Sequence, residues 1–289
     1  MPRRALLIVS IVIVAVAGAI FGFVQIDRTN FGMPRFYVWR SLGGEFHGSR
    51  RVAVDGIVLY TETYGSGPPV LVLHGAGGFL ETMHYFISGL SATHTVIAVD
   101  SRGQGRSTDG PGPITYAQMG ADMIALLDAL HIKQTDVVGW SDGGIIGLDM
   151  AMTHPGRVRR LVAIGANYDA NGLDAKQMNP DFLAQEAQEV KPFYEAIAPD
   201  PSHFAVLMKK IETLVTTEPH YTTEQLGRIR AKVLIVAGEH DIVLRKHTDA
   251  LARAIPGAAE TIVPGANHFG PLQMPGVYRA IVEKFLDAP

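Results

Sequence analysis

Val137-Val138-Gly139-Trp140-Ser141-Asp142-Gly143-Gly144 is the stretch on which the reading of this chain turns. An apolar run, 135–138, enters a tight turn, and a segment of helical character, 145–154, leaves it. Gly139, Ser141 and Gly143 stand at the spacing G-x-S-x-G. A side chain at the tip of a strand-to-helix turn is pushed clear of the sheet in a strained backbone conformation. Glycines two before and two after it let strand and helix pass where a Cβ would clash. Ser141 would then stand at the start of a helix whose amides favour negative charge, which suits a serine that attacks a carbonyl. A Gly-rich turn that happens to hold a Ser is the bland alternative, and it leaves the downstream pattern below without a reason.

Working outward, the pattern is regular from residue 51 on. Residues 51–54 and 57–63 read as a hairpin turning at Asp55-Gly56. Short apolar runs at 69–73, 95–99, 158–164, 232–237 and 261–263 read as buried strands, and 82–90, 115–130, 246–254 and 277–286 as helices. Strands alternating with helices predict an α/β fold with a mostly parallel sheet covered on both faces. Residues 167–229 break the alternation: they hold no buried-strand run, and contain Pro180, Pro192, Pro199, Pro201 and Pro219. About sixty residues are too many for a plain loop, so a helical cap inserted between two strands is expected there, with helical patches at 182–190 and 204–214.

The N-terminal region reads differently. Arg3-Arg4 precede an unbroken apolar run over 5–24, about 30 Å long as a helix and so matched to a hydrocarbon core. We expect a membrane anchor over 1–26, with a removed signal peptide as the alternative, a linker over 27–50, and a catalytic domain over 51–289 lying outside the cytoplasm. The arginines flanking the apolar run nearly balance, so orientation rests on its N-terminal position. The 289 residues include no cysteine, which removes disulfides, thiolate metal sites and a cysteine nucleophile together. A formal net charge of −3 gives no basic footprint for nucleic acid. No P-loop, dinucleotide fingerprint or metal-ligand cluster is apparent, and no cofactor or metal is expected.

Taken jointly, His74-Gly75 after one strand, Asp100-Ser101-Arg102-Gly103-Gln104-Gly105-Arg106-Ser107 after the next, the Ser141 turn, Gly238-Glu239-His240-Asp241 and Asn267-His268 resemble the α/β-hydrolase superfamily. The stretch Gly139-Trp140-Ser141-Asp142-Gly143-Gly144 is most similar to the valacyclovir-hydrolase (biphenyl-hydrolase-like) group. The resemblance implies an eight-stranded sheet whose second strand is antiparallel, with the site at the carboxyl ends of the strands.

The chemistry follows from the residues. A serine hydroxyl needs a base. His268, after the last strand, is the candidate, in the order Ser…Asp…His. Asp241 is the expected acid that orients His268; Asp169 is the main alternative, with Glu239 and His240 as near neighbours. The oxyanion needs two amide donors, expected from Asp142 and Ala76, with Gly77 as runner-up. His74 is expected to shape that loop rather than react. Trp140 and the Asp142 carboxylate are candidate substrate-binding groups. An anion at Asp142 suits a cationic substrate group, and the 167–230 segment, with 6 Lys+Arg against 10 Asp+Glu, is mildly acidic too. The competing reading is that Asp142 bonds within its own helix turn. The expected activity is a serine hydrolase acting on carboxylic esters or amides through an acyl-enzyme. A C–C bond hydrolase, a perhydrolase and a low-turnover binding protein remain as alternatives; epoxide and haloalkane chemistry would need a carboxylate where Ser141 stands.

Overall fold

The computed structural model describes residues 33–288. The expected anchor over 1–26 lies outside the described residues; among those described, no helix is long and apolar enough to cross a membrane. The chain divides into two compact units, Met1–Gly44 and Glu45–Pro289. In the first, residues read as linker form helix α1 (Met33–Ser41), where Phe36 stacks on Trp39 at 5.5 Å.

The second unit begins with the hairpin β1 (Phe46–Val54) and β2 (Ile57–Tyr64). Asp55 and Gly56 take φ of 40° and 80°, the positive pair that a tight two-residue hairpin turn demands. There follow β3 (Pro69–Leu73), α2 (His84–Leu90), β4 (Thr95–Asp100), α3 (Tyr116–Ala129), β5 (Thr135–Trp140), α4 (Asp142–Thr153) and β6 (Val158–Ile164). After β6 come α5 (Pro180–Ile197), α6 (Phe204–Thr217) and a single turn α7 (Thr223–Leu226). The chain ends with β7 (Lys232–His240), α8 (Arg245–Ala254), β8 (Ala259–Asn267), α9 (Gly270–Gln273) and α10 (Pro275–Leu286).

The eight strands form one sheet in the order β1-β2-β4-β3-β5-β6-β7-β8. β2 is antiparallel to both neighbours, and β3 to β8 run parallel. The strand period of two splits the core between two faces. Leu71, Leu73, Val137, Leu161 and Ile235 join one buried cluster with Met123, Leu127, Ile146 and Leu148 of α3 and α4. Their neighbours Val70, Val72, Val138, Val162 and Val236 are equally buried but point the other way, where α2 and α10 pack together.

Between β6 and β7 the chain is helical. Asn179 caps α5 by accepting the Phe182 N–H, and Thr222 and Gln225 form a reciprocal capping box at α7. Several boundaries differ from the sequence reading. β1 begins at Phe46 rather than 51, because an edge strand with one face in solvent carries no continuous apolar run. α5 runs through Pro192 to Ile197 instead of stopping near 190; beyond the proline, Tyr194 is buried against Phe204, ring centroids 5.4 Å apart.

Candidate active site

β5 delivers Ser141 into the first residue of the turn with φ 53° and ψ −119°. A side-chain-bearing residue rarely takes that conformation, which costs on the order of 1–3 kcal/mol and is held only by strong surrounding structure. The hold is visible. The Ser141 N–H donates to Ile164 O at 2.7 Å, pinning the turn to β6. A Cβ on Gly139 would meet Gly143 O at 2.1 Å, and one on Gly143 would meet Leu73 O at 2.2 Å. The two glycines are therefore the condition for α4 to cross so close to β3 and β5, and that crossing aims Ser141 outward.

β7 and β8 bring the other two groups. Asp241 follows β7; its Oδ2 accepts the Gly238 N–H and its Oδ1 the Val243 N–H, both at 3.2 Å. His268 follows β8. Its Nδ1 lies 2.7 Å from Asp241 Oδ1, and its Nε2 lies 3.0 Å from Ser141 Oγ. Burial by itself would push the Asp241 carboxyl up, but His268 and the two amides outweigh it and hold the group below its ordinary value. A charged acceptor at Nδ1 fixes the tautomer: the proton sits on Nδ1, and Nε2 presents its lone pair to the hydroxyl. The chain of contacts runs Asp241, His268, Ser141, drawn from three loops 27 and 127 residues apart in sequence.

The loop after β3 packs beside the serine, where a Cβ on Gly75 would approach Ser141 Cβ to 3.1 Å. His74 shapes this loop. Its Nε2 accepts the Ser101 N–H at 3.0 Å, so Nδ1 donates to Gly75 O at 2.7 Å. Burial pushes its imidazole down to about 4, which keeps it neutral and suited to both bonds. Among the described residues, the N–H groups of Ala76, Gly77 and Asp142 meet no protein acceptor. Free amides at a helix start and a neighbouring loop are what a developing oxyanion requires.

Asp142 is buried, and it does not bond within its own helix turn. Its Oδ1 accepts the Tyr116 hydroxyl at 2.8 Å, and its Oδ2 has no partner. Burial pushes its carboxyl up to about 6, with Tyr116 and His268 pulling the other way. Trp140 is buried as well, and its indole N–H donates to His268 O at 3.0 Å; the structure places it beneath the His268 loop as a brace. Asp169 is turned elsewhere, accepting from Asn171 N–H at 2.9 Å and lying 3.2 Å from His220 Nδ1. Glu239 accepts the Gly265 N–H at 2.8 Å, and His240 is exposed.

α5 lies across the mouth. Phe182 sits 6.4 Å from Phe269, the neighbour of His268, and Val190 faces the place where a Cβ on Gly77 would point, at 3.7 Å. Glu186 falls between them at helical spacing. Half-buried, it makes no ion pair among the described residues. Burial and the neighbouring Glu189 push its carboxyl up to about 7, against the pull of His268.

A family model described as the alpha/beta hydrolase fold matches residues 68–198. A serine hydrolase from Mus musculus, BPHL, is 30% identical over 254 residues, spanning 82% of this chain and 86% of the relative. The chain belongs to the α/β-hydrolase family. A putative carbamate hydrolase from Azorhizobium caulinodans, RutD, is 29% identical over 78% of this chain and 94% of its own length. Among solved structures, a hydrolase from Pseudomonas aeruginosa PA01 superposes with a TM-score of 0.67 at 26% identity, covering 84% of this chain and 99% of that one. Two groups near this α/β-hydrolase site escaped the sequence reading. Tyr116 has no local signal, since its partner Asp142 is 26 residues away. Glu186 does have one: it is an acid at i+4 from Phe182 and i−4 from Val190, on an otherwise apolar stripe.

Proposed function

We propose that this α/β-hydrolase cleaves carboxylic esters through an acyl-enzyme, with Ser141 as nucleophile, His268 as general base and acid, and Asp241 as the orienting carboxylate. The observation that carries the reading is the continuous contact from Asp241 Oδ1 to His268 Nδ1 at 2.7 Å and from His268 Nε2 to Ser141 Oγ at 3.0 Å, within the reach proton transfer needs. His268 takes the Ser141 proton as Oγ attacks the carbonyl carbon; the oxyanion sits against the amides of Asp142 and Ala76; and His268 returns the proton to the leaving oxygen. Water then repeats the sequence on the acyl-enzyme. Incubation of the full chain with a fluorophosphonate should leave a covalent adduct on Ser141, found by peptide mass spectrometry, and the labelled protein should no longer hydrolyse p-nitrophenyl esters. A folded chain that takes no label is the result that removes this reading and favours a binding protein.

The Asp142 carboxylate supports a further element of the same proposal. Its Oδ2 is buried and unpartnered beside the nucleophile, and a buried carboxylate is stabilised by a cation. An ammonium on the acyl side of the substrate meets that need. An amino-acid ester should therefore be preferred over its des-amino analogue, and Asp142→Asn should reduce that preference by about tenfold or more. Equal rates on the two esters in the unsubstituted chain would dismiss the pairing.

A further inference from the structure

A cavity of about 450 Å³ opens beside His268, a size typical of small-molecule sites. Of the three groups that relay the proton, only His268 lines it. That fixes which part of an ester it faces. Around the carbonyl carbon, the oxygen turns to the free amides and the leaving oxygen must face the imidazole that protonates it. The acyl chain takes the remaining direction. A cavity on the imidazole side therefore lies towards the leaving alcohol of a bound ester rather than towards its carbonyl oxygen.

Its walls state what alcohol suits it. Gln177 donates from Nε2 to Asp174 Oδ2, and Gln185 from Nε2 to Glu189 Oε1, each at 3.1 Å. A carboxylate only accepts, so each amide's nitrogen is held there and each Oε1 is left over as an acceptor. Asn267 is arranged in reverse. Its Oδ1 accepts the Phe269 N–H at 2.9 Å, which leaves its NH₂ as a donor. Asp181 adds a carboxylate that makes no hydrogen bond or ion pair among the described residues. The Phe182 and Phe269 rings, 6.4 Å apart, supply carbon faces to the same cavity. The wall thus offers amide and carboxylate acceptors, amide N–H donors and an aromatic surface. A hydroxyl both donates and accepts, and neighbouring hydroxyls on a short carbon chain serve all of these at once. Gln177, Asp181 and Gln185 stand exposed at the rim, so hydroxyls can take the place of their water, whereas an alkyl chain displaces that water and returns nothing, and a phosphate would face the Asp181 carboxylate.

We propose that this cavity is the leaving-group subsite and that it takes a polyol, the alcohol part of a glycerol or sugar ester. The proposal rests on the serine-esterase reading above. The Ser141 Oγ–acyl carbon bond forms and the acyl carbon–polyol oxygen bond breaks. The Ser141 proton passes through His268 to the polyol oxygen, and water later releases the acid and restores Ser141.

Three butyrate esters test it on the full chain: 2,3-dihydroxypropyl, pentyl and choline. They share one acyl-enzyme, so differences in kcat/KM report the alcohol alone. The dihydroxypropyl ester should lead the other two by about tenfold or more, since a site built to bond hydroxyls rejects analogues that lack them. The double variant Gln177→Leu, Gln185→Leu should cut the dihydroxypropyl-to-pentyl ratio by about tenfold, and Asp181→Asn should lower it in the same direction should the double variant fail to fold. A pentyl or choline ester that matches or leads the dihydroxypropyl ester overturns the proposal, as does a ratio that neither variant moves. With Ser141 labelled by fluorophosphonate and all three esters hydrolysed, those outcomes leave the esterase reading standing. No label and no turnover of any ester would take both down.

Discussion

Ser141→Ala should lower kcat/KM for an activated ester by about 10⁴–10⁶-fold with the fold intact. The size follows from the geometry. The Ser141 hydroxyl's hydrogen-bond partner is His268, so on the proposed reading its removal takes away the nucleophile and leaves the imidazole nothing to deprotonate. Stability should hardly move, because alanine keeps the Cβ and with it the same strain at φ 53°. His268→Ala should cost about as much, and the double variant no more than either alone, since the groups act as a unit. Asp241→Asn should cost about 10³–10⁴-fold, because an amide at that position favours the wrong imidazole tautomer. Steady-state kinetics with circular dichroism as the folding control checks all four proteins. A Ser141→Ala chain that keeps a tenth of the activity, or single losses that multiply in the double variant, would mean that the observed constellation is not the reacting one.

Much of that constellation was legible because its causes are local. A Cβ on Gly139 or Gly143 would come within 2.1 or 2.2 Å of a backbone oxygen, so the spacing itself carries the geometry. Asp241 and His268 follow strands whose apolar runs mark them. What the sequence did not disclose is what depends on distant partners or on edges. β8 extends over Ala259–Asn267, well past the apolar 261–263, and includes Pro264; a proline is tolerated there because β8 is an edge strand with one side unpaired. The adjacency of β4 and β2, ahead of β3, is a crossover that periodicity does not encode. Trp140 sits in the motif, yet its service to the His268 carbonyl spans 128 residues. Asp142 shows the same limit: its type fitted either a helix-turn bond or a substrate contact, and the third outcome, a phenol from α3, required the fold.

The loop that carries Ala76 depends on a buried charge group that sequence marks only as a Gly-rich turn, and breaking it should produce the largest loss of stability. Arg106 lies 2.5 Å from Glu81 Oε1 and 3.1 Å from Asp100 Oδ2, with both carboxylates fully buried. Asp100 Oδ1 also accepts the Leu80 N–H at 2.7 Å, tying this cluster to the chain just beyond the oxyanion loop. Arg106→Met keeps much of the side-chain length but leaves two buried carboxylates without their cation. Orphaning a buried charge costs about 3–5 kcal/mol, or a fall in Tm on the order of 10 °C for a domain of this size. Arg106→Lys should fall between, since an ammonium keeps the charge and loses the two-pronged fork. The sign of the pH dependence gives a sharper test. Burial first, and the Glu81 charge next, already push the folded Asp100 carboxyl from 3.8 up to about 7, against Arg106 and two amides. Between about pH 4 and 7 the folded chain therefore holds a proton that the unfolded chain has released, and stability falls as pH rises through that window. With Arg106 gone, the Asp100 carboxyl moves higher still and the window widens upward. The deficit of Arg106→Met should then be greatest near pH 8 and shrink towards pH 5, where protonation replaces the missing cation. Urea unfolding at the two pH values reads it directly. A deficit below about 1 kcal/mol at pH 8, or one of equal size at both pH values, would show that the cluster does not bear this charge.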